Sequence, residues 1–157
     1  MREIINPFLN TSNGHCFGCS PQNTQGLQMQ FLENGDEIIS IWSPKSFLSG
    51  FKNVLHGGIQ TTLMDEIACW YVFVKLGTCG VTTHIDAKFR GTLFTDQDDI
   101  TISAKLKKLD KKFAVIYTKI MDHNGTLCAE ANVQYMIYPL AVAKRKFDYP
   151  GKEAFFE

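Results

Sequence analysis

The sequence predicts an α+β domain in which an antiparallel sheet wraps one long helix. Three observations carry this expectation. An apolar run from Ile59 to Leu76 contains no proline or glycine, is too long for a strand, and stops at Gly77. Two-residue alternation of apolar and polar residues fills the chain on both sides of that run. Asn34-Gly35 and Asn124-Gly125 are hairpin turn signals that join neighbouring strands antiparallel.

The elements follow in order. Residues 1–26 carry Asn, Ser, Gly and Pro at turn-like density and read as an irregular N-terminal segment. Leu27, Met29 and Phe31 alternate with Gln28 and Gln30 as a half-buried strand. Ile39 and Ile41 continue in a second strand, closed by Pro44. A loop over residues 45–55 leads into the helix. Trp70, Tyr71 and Phe73 would each suit a strand, but the length of the run decides for a helix. The helix is apolar on nearly all faces and is expected to be buried on nearly all of them.

Beyond Gly77 the pattern is β. Val81, Thr83, Ile85, Ala87 and Phe89 alternate with Thr82, His84, Asp86, Lys88 and Arg90. Ile100, Ile102, Ala104 and Leu106 form the next strand, with lysines on its other face. The turn Asp110-Lys111-Lys112 leads to Phe113, Val115 and Tyr117, and the last strand runs from Leu127 to Ile137. The expected order is β-β-α-β-β-β-β. A single domain over residues 1–157 is expected, with a C-terminal tail, 139–157, that is either a short docking helix or loose.

Composition limits the function. Of 157 residues, 16 are basic and 16 acidic. That balance argues against nucleic acid or an anionic membrane as the main partner. No N-terminal apolar run resembles a signal peptide, and the helical run is too interrupted to span a bilayer, so a cytoplasmic protein is expected. Five cysteines suit a reducing compartment. Cys16 and Cys19 form a C-x-x-C beside His15, but no second Cys or His pair follows at zinc-site spacing. A loop of small, partly buried thiols is the expectation, with no metal.

Candidate chemistry lies in the helix. Asp65 and Glu66 are the only charged residues between Lys52 and Lys75. Carboxylates in so apolar a run need partners. Asp65 has Gly58, Thr62 and Cys69 as small helical neighbours, which leaves room for a ligand; Glu66 has Leu63 and Trp70. Either each carboxylate is satisfied locally, or Asp65 is a base or nucleophile tuned by its surroundings. His56-Gly57-Gly58 sits at the helix start, where backbone N–H groups lack internal partners and the dipole is positive. Such a turn suits a developing oxyanion, or is simply a glycine-rich turn capped by His56. Asp65 lies eight residues past Gly57, about 12 Å along a helix axis. If both act on one carbonyl, they come from different subunits related by a two-fold axis.

The His56-Gly57-Gly58…Asp65 arrangement resembles that of hotdog-fold acyl-CoA thioesterases, of the phenylacetyl-CoA-thioesterase-like branch. Gly80-Val81-Thr82, the strand to Phe89-Arg90, and Cys16-Phe17-Gly18-Cys19 with Asn23 and Gly26-Leu27 extend the likeness over about residues 15–138. The resemblance implies a hotdog fold, a homodimer with a continuous sheet, often a dimer of dimers (a homotetramer), and thioester hydrolysis at sites shared between subunits. It needs no cofactor, since the acyl-CoA is the substrate. By carry-over, the Gly57 N–H polarises the carbonyl, His56 positions it, and Asp65 of the other subunit attacks it or activates water. Thr82, with Thr83 next to it, takes the place of a hydroxyl near the reactive water. Gly58 and Glu66 are secondary candidates, the latter because other branches use a helix glutamate. Gly50 stands where some members carry asparagine, with Asn53 nearby. Lys88 and Arg90 are candidates for the CoA nucleotide, or an ordinary solvated strand face. The competing functions are a non-catalytic acyl-CoA or acyl-carrier binding module and a 3-hydroxyacyl thioester dehydratase.

Overall fold

The computed structural model describes residues 1–157. Seven strands form one sheet: β1 (Arg2–Ile4), β2 (Phe31–Asn34), β3 (Glu37–Trp42), β4 (Gly80–Phe89), β5 (Ile100–Asp110), β6 (Phe113–Met121) and β7 (Leu127–Ile137). Their spatial order is β1-β2-β3-β5-β6-β7-β4, and every neighbouring pair is antiparallel. Helix α1 (Gly57–Tyr71) packs on the inner face of β3 to β7, which is the hotdog arrangement. A second helix, α2 (Leu140–Phe147), follows the last strand. No helix is long and apolar enough to cross a membrane.

The helix begins where its sequence dictates. His56 Nδ1 accepts the Gly58 N–H at 2.9 Å, which satisfies one of the free first-turn donors. Thr61 and Thr62 donate their hydroxyls back to the Gly57 and Gly58 carbonyls, so neither polar side chain needs an outside partner. Leu63, Met64, Ile67 and Ala68 are fully buried and share one core with Ile100, Ile102, Ile116 and Val133 of the sheet. Past Tyr71 the last turn widens to π geometry over Val72–Leu76 and ends at Gly77, whose φ of 68° suits glycine.

Below that turn lies an aromatic cluster. Trp70 stacks on Phe31 with ring centroids 4.4 Å apart and meets Phe73 and Phe155 edge-on. Pairs of this kind are worth about 0.5–1.5 kcal/mol beyond their buried area. The C-terminal tail is therefore docked: Phe155 is buried, and the Tyr149 hydroxyl donates to the Phe73 carbonyl at 2.7 Å.

Three expectations need correction. The N-terminal segment is not wholly irregular, because Arg2–Ile4 adds strand β1 and the order becomes β-β-β-α-β-β-β-β. The strand read from Leu27 begins only at Phe31. Gln28 sits at a φ of 54°, and the N–H groups of Leu27 and Met29 are taken by the carbonyls of Phe17 and Gly18. In β6 the buried residues are Ala114, Ile116, Thr118 and Ile120, so Phe113, Val115 and Tyr117 lie on the outer face. Both phases of this strand carry apolar residues, so alternation alone does not say which one faces the core.

Candidate functional site

The His56-Gly57-Gly58 turn is held from outside. His56 N–H donates to the Leu48 carbonyl at 3.0 Å and Leu55 N–H to that of Leu93 at 2.8 Å. Because His56 Nδ1 is an acceptor, the neutral ring carries its proton on Nε2. The Gly57 N–H donates to no group of the chain. The turn borders a hollow of about 380 Å³ lined by Phe47, Leu48, Ser49, His56 and Gly58 among others. Gly50 backs it closely, since a Cβ there would sit 3.4 Å from the His56 ring. Asn53 adopts a φ of 60°, and its carbonyl receives the Thr95 N–H. Its role is to turn the loop.

Asp65 is half-buried and faces the sheet. Its Oδ1 accepts two hydroxyls, Thr82 Oγ1 at 2.8 Å and Tyr135 Oη at 2.8 Å, and Tyr135 also reaches the Asp65 carbonyl at 2.9 Å. Oδ2 has no partner in the chain, so one oxygen is clamped and the other is free. Burial, with Cys69 and Asp65 nearby, pushes the Tyr135 phenol well above its ordinary value, so it remains a donor.

A β-bulge aims Thr82. Thr82 pairs with Tyr135 and His84 with Gln134, leaving Thr83 as the extra residue. Strict alternation would place Thr83 with Ile85 and Ala87. The bulge instead puts Thr82 on the helix side and turns the Thr83 hydroxyl to the Gln134 carbonyl at 3.2 Å.

The structure does not unite all the predicted residues. Gly57 and Asp65 lie on one unbroken helix, still about 12 Å apart along its axis. Arg90 is ion-paired to Glu130 at 3.0 Å, whereas Lys88 is exposed with no ion pair. Glu66 points away from Asp65. Its Oε1 accepts Trp70 Nε1–H at 3.1 Å and the Cys16 thiol at 3.4 Å. Burial first, then Cys16, raises the Glu66 carboxyl to about 8. The residue that the sequence missed is Tyr135. Its position in the apolar phase of β7 signalled burial, but nothing in the sequence tied its hydroxyl to Asp65.

The family model "Thioesterase superfamily" matches residues 52–129, from the turn before α1 into β7. An uncharacterized protein of Schizosaccharomyces pombe is 36% identical over 61 residues, which cover 38% of this chain and 35% of that one. The match thus spans about a third of that relative's length. The crystal structure of a thioesterase superfamily protein superposes with a TM-score of 0.71 at 16% identity, over 78% of this chain and 60% of the other. A hypothetical thioesterase from Streptococcus pneumoniae, crystallised with coenzyme A, gives 0.66 at 18% identity, over 71% of this chain and 87% of the other. The structural likenesses establish the fold, and the family model covers the His56-Gly57-Gly58 turn, α1 and β4, but not Tyr135. Residues 52–129 thus match the thioesterase superfamily, and the fold is the one its solved members share.

Proposed function

We propose that the protein is an acyl-CoA thioesterase whose site is shared by two subunits. One observation carries this reading: Asp65 has one oxygen clamped by Thr82 and Tyr135 and the other free, on the same helix as an unpartnered Gly57 N–H too far away to serve it. The coenzyme A bound by the Streptococcus pneumoniae relative supports the choice of thioester.

The edge of the sheet supports the pairing. β4 is a terminal strand, ten residues long, with Val81 and Phe89 exposed. Long unprotected edges invite another strand. A second β4 across a two-fold axis would extend the sheet and face two helices toward each other. Phe47 and Phe51, 66% and 88% exposed in the loop before the helix, would be covered by the partner or by an acyl chain.

The chemistry follows from the groups. The thioester oxygen takes the Gly57 N–H of one subunit, at the positive end of its helix. Asp65 Oδ2 of the other subunit draws a proton from water, and the water oxygen bonds to the carbonyl carbon. When the oxyanion collapses, the carbon–sulfur bond breaks, and the thiolate leaves and takes up the proton. The products are a free acid and CoA. Thr82 and Tyr135 hold the carboxylate in place throughout.

Thiol release from acyl-CoA substrates tests the activity, and reassociation of variants tests the sharing. Gly57→Pro removes the N–H at a helix position that tolerates proline, after a His56 backbone already extended at ψ 133°. Alone, Gly57→Pro and Asp65→Asn should each be inactive. Mixed and reassociated, half the dimers carry one intact site of two, so about a quarter of wild-type activity should return. Folded, dimeric mixtures that stay inactive would exclude the shared site. Saturable acyl-CoA binding without any thiol release would favour a binding module instead.

A further inference from the structure

The face of α1 that carries Glu66 holds a second cluster that the thioesterase reading does not use. Cys16, Cys19 and Glu66 each bring one donor atom to within 4.8 Å of the other two. Cys16 Sγ and Glu66 Oε1 are 3.4 Å apart. Two ligands of one tetrahedral zinc, at ordinary Zn–S and Zn–O lengths, stand about 3.6 Å apart.

The backbone is shaped for this convergence. Gly18 N–H donates to Cys16 Sγ at 3.3 Å, so an amide dipole already faces the sulfur. Gly18 also makes way for the carboxylate, because a Cβ there would lie 2.5 Å from Glu66 Cδ and Oε2. The loop is fixed by Leu27 N–H to Phe17 O and Met29 N–H to Gly18 O, at 2.8 and 2.9 Å.

No side-chain cation competes for these donors. Two thiols and a carboxylate sit at a cavity of about 430 Å³ whose lining includes no lysine or arginine, and Glu66 takes part in no ion pair. We infer that Cys16, Cys19 and Glu66 form a binding site for a thiophilic divalent cation of the zinc class. The fourth coordination position opens on the cavity, where His15 lies among the lining residues. The sequence showed no second ligand pair for the C-x-x-C, and the fold supplies a carboxylate fifty positions from Cys16. Binding releases the thiol protons to solvent and changes no oxidation state. The ion would pin the N-terminal segment to α1 directly behind Asp65.

Titration of the reduced full-length protein with Zn²⁺ and with Co²⁺ tests the site. The expected result is one equivalent per chain, with a thiolate-to-cobalt charge-transfer band and a raised melting temperature. Cys16→Ser and Cys19→Ser should each weaken binding by more than about 100-fold, and Glu66→Gln by about 10–100-fold with the thiolate band retained. Cys128→Ser, away from the cavity, should bind as wild type. If the serine variants fail to fold, the cobalt spectrum of the wild-type chain still decides. Absence of a thiolate band there, or equal loss in Cys128→Ser, would each overturn the site.

Discussion

Asp65 and Glu66 are adjacent in sequence yet live in opposite chemical worlds. Asp65 faces β4 and β7, where two hydroxyls donate to one oxygen and leave the other open. Glu66 faces the N-terminal loop, where a thiol and an indole N–H are its partners and burial raises its carboxyl to about 8. A 100° step around one helix separates a solvated, positioned carboxylate from a sequestered one. The lesson is that the surroundings, and not the residue type, assign the role.

The largest effect should come from breaking the Asp65 side. Asp65→Asn keeps the shape and should lower thiol release by at least about 100-fold while leaving the melt within a few degrees of wild type. Glu66→Gln should behave differently, retaining turnover per folded molecule to within about threefold. Equal losses in the two variants would erase the distinction.

On the Glu66 side the sensitive quantity is stability. Gly18→Ala drives a methyl group into the carboxylate and should cost about 1–3 kcal/mol in urea unfolding. A wild-type unfolding midpoint would mean the loop is looser than its hydrogen bonds imply. Smaller again is Tyr135→Phe, which removes one of two donors to Asp65 Oδ1. A loss of about 1 kcal/mol, or roughly fivefold in kcat/KM, is expected. No change would leave Thr82 as the sole positioning donor.

A third carboxylate sharpens the contrast. Glu33 has the cation that Glu66 lacks: the Lys75 ammonium, with Arg2 beside it, holds it below the usual range. Because its folded value is lowered, the stabilisation is full above the unfolded value of about 4.3 and is lost as pH falls through the folded one. Lys75→Met should therefore cost under about 1 kcal/mol near neutral pH. Urea unfolding of both proteins should show that gap narrowing in acid to what Lys75 gains from the Gly35 carbonyl. A gap that widens in acid would reverse the assignment.

Much of this was readable from the chain because it depends on local pattern. The run from Ile59, the stop at Gly77 and the hairpin glycines are local signals, and the helix and the strands other than β1 followed from them. What escaped depends on tertiary contact. The turn at Gln28 exists because the Cys16–Cys19 loop claims the neighbouring N–H groups. The Thr83 bulge shifts the phase of β4 by one residue, and alternation alone cannot reveal that. Asp65 and His56-Gly57 were legible as a spacing, whereas Tyr135 is seventy residues from the carboxylate it serves. Glu66 became intelligible only once the N-terminal loop lay across it.

The two chain termini meet. Ile5 N–H bonds to the Phe155 carbonyl at 2.8 Å, and the Arg2 guanidinium stacks 3.5 Å over the Phe156 ring. They do so beside β1, at the sheet margin opposite β4. A surface tether or fused carrier at either terminus would thus leave through the same corner, away from the carboxylate. The same closeness makes a circular permutant, joined there and reopened at the Asn124-Gly125 turn, a feasible rearrangement of this chain.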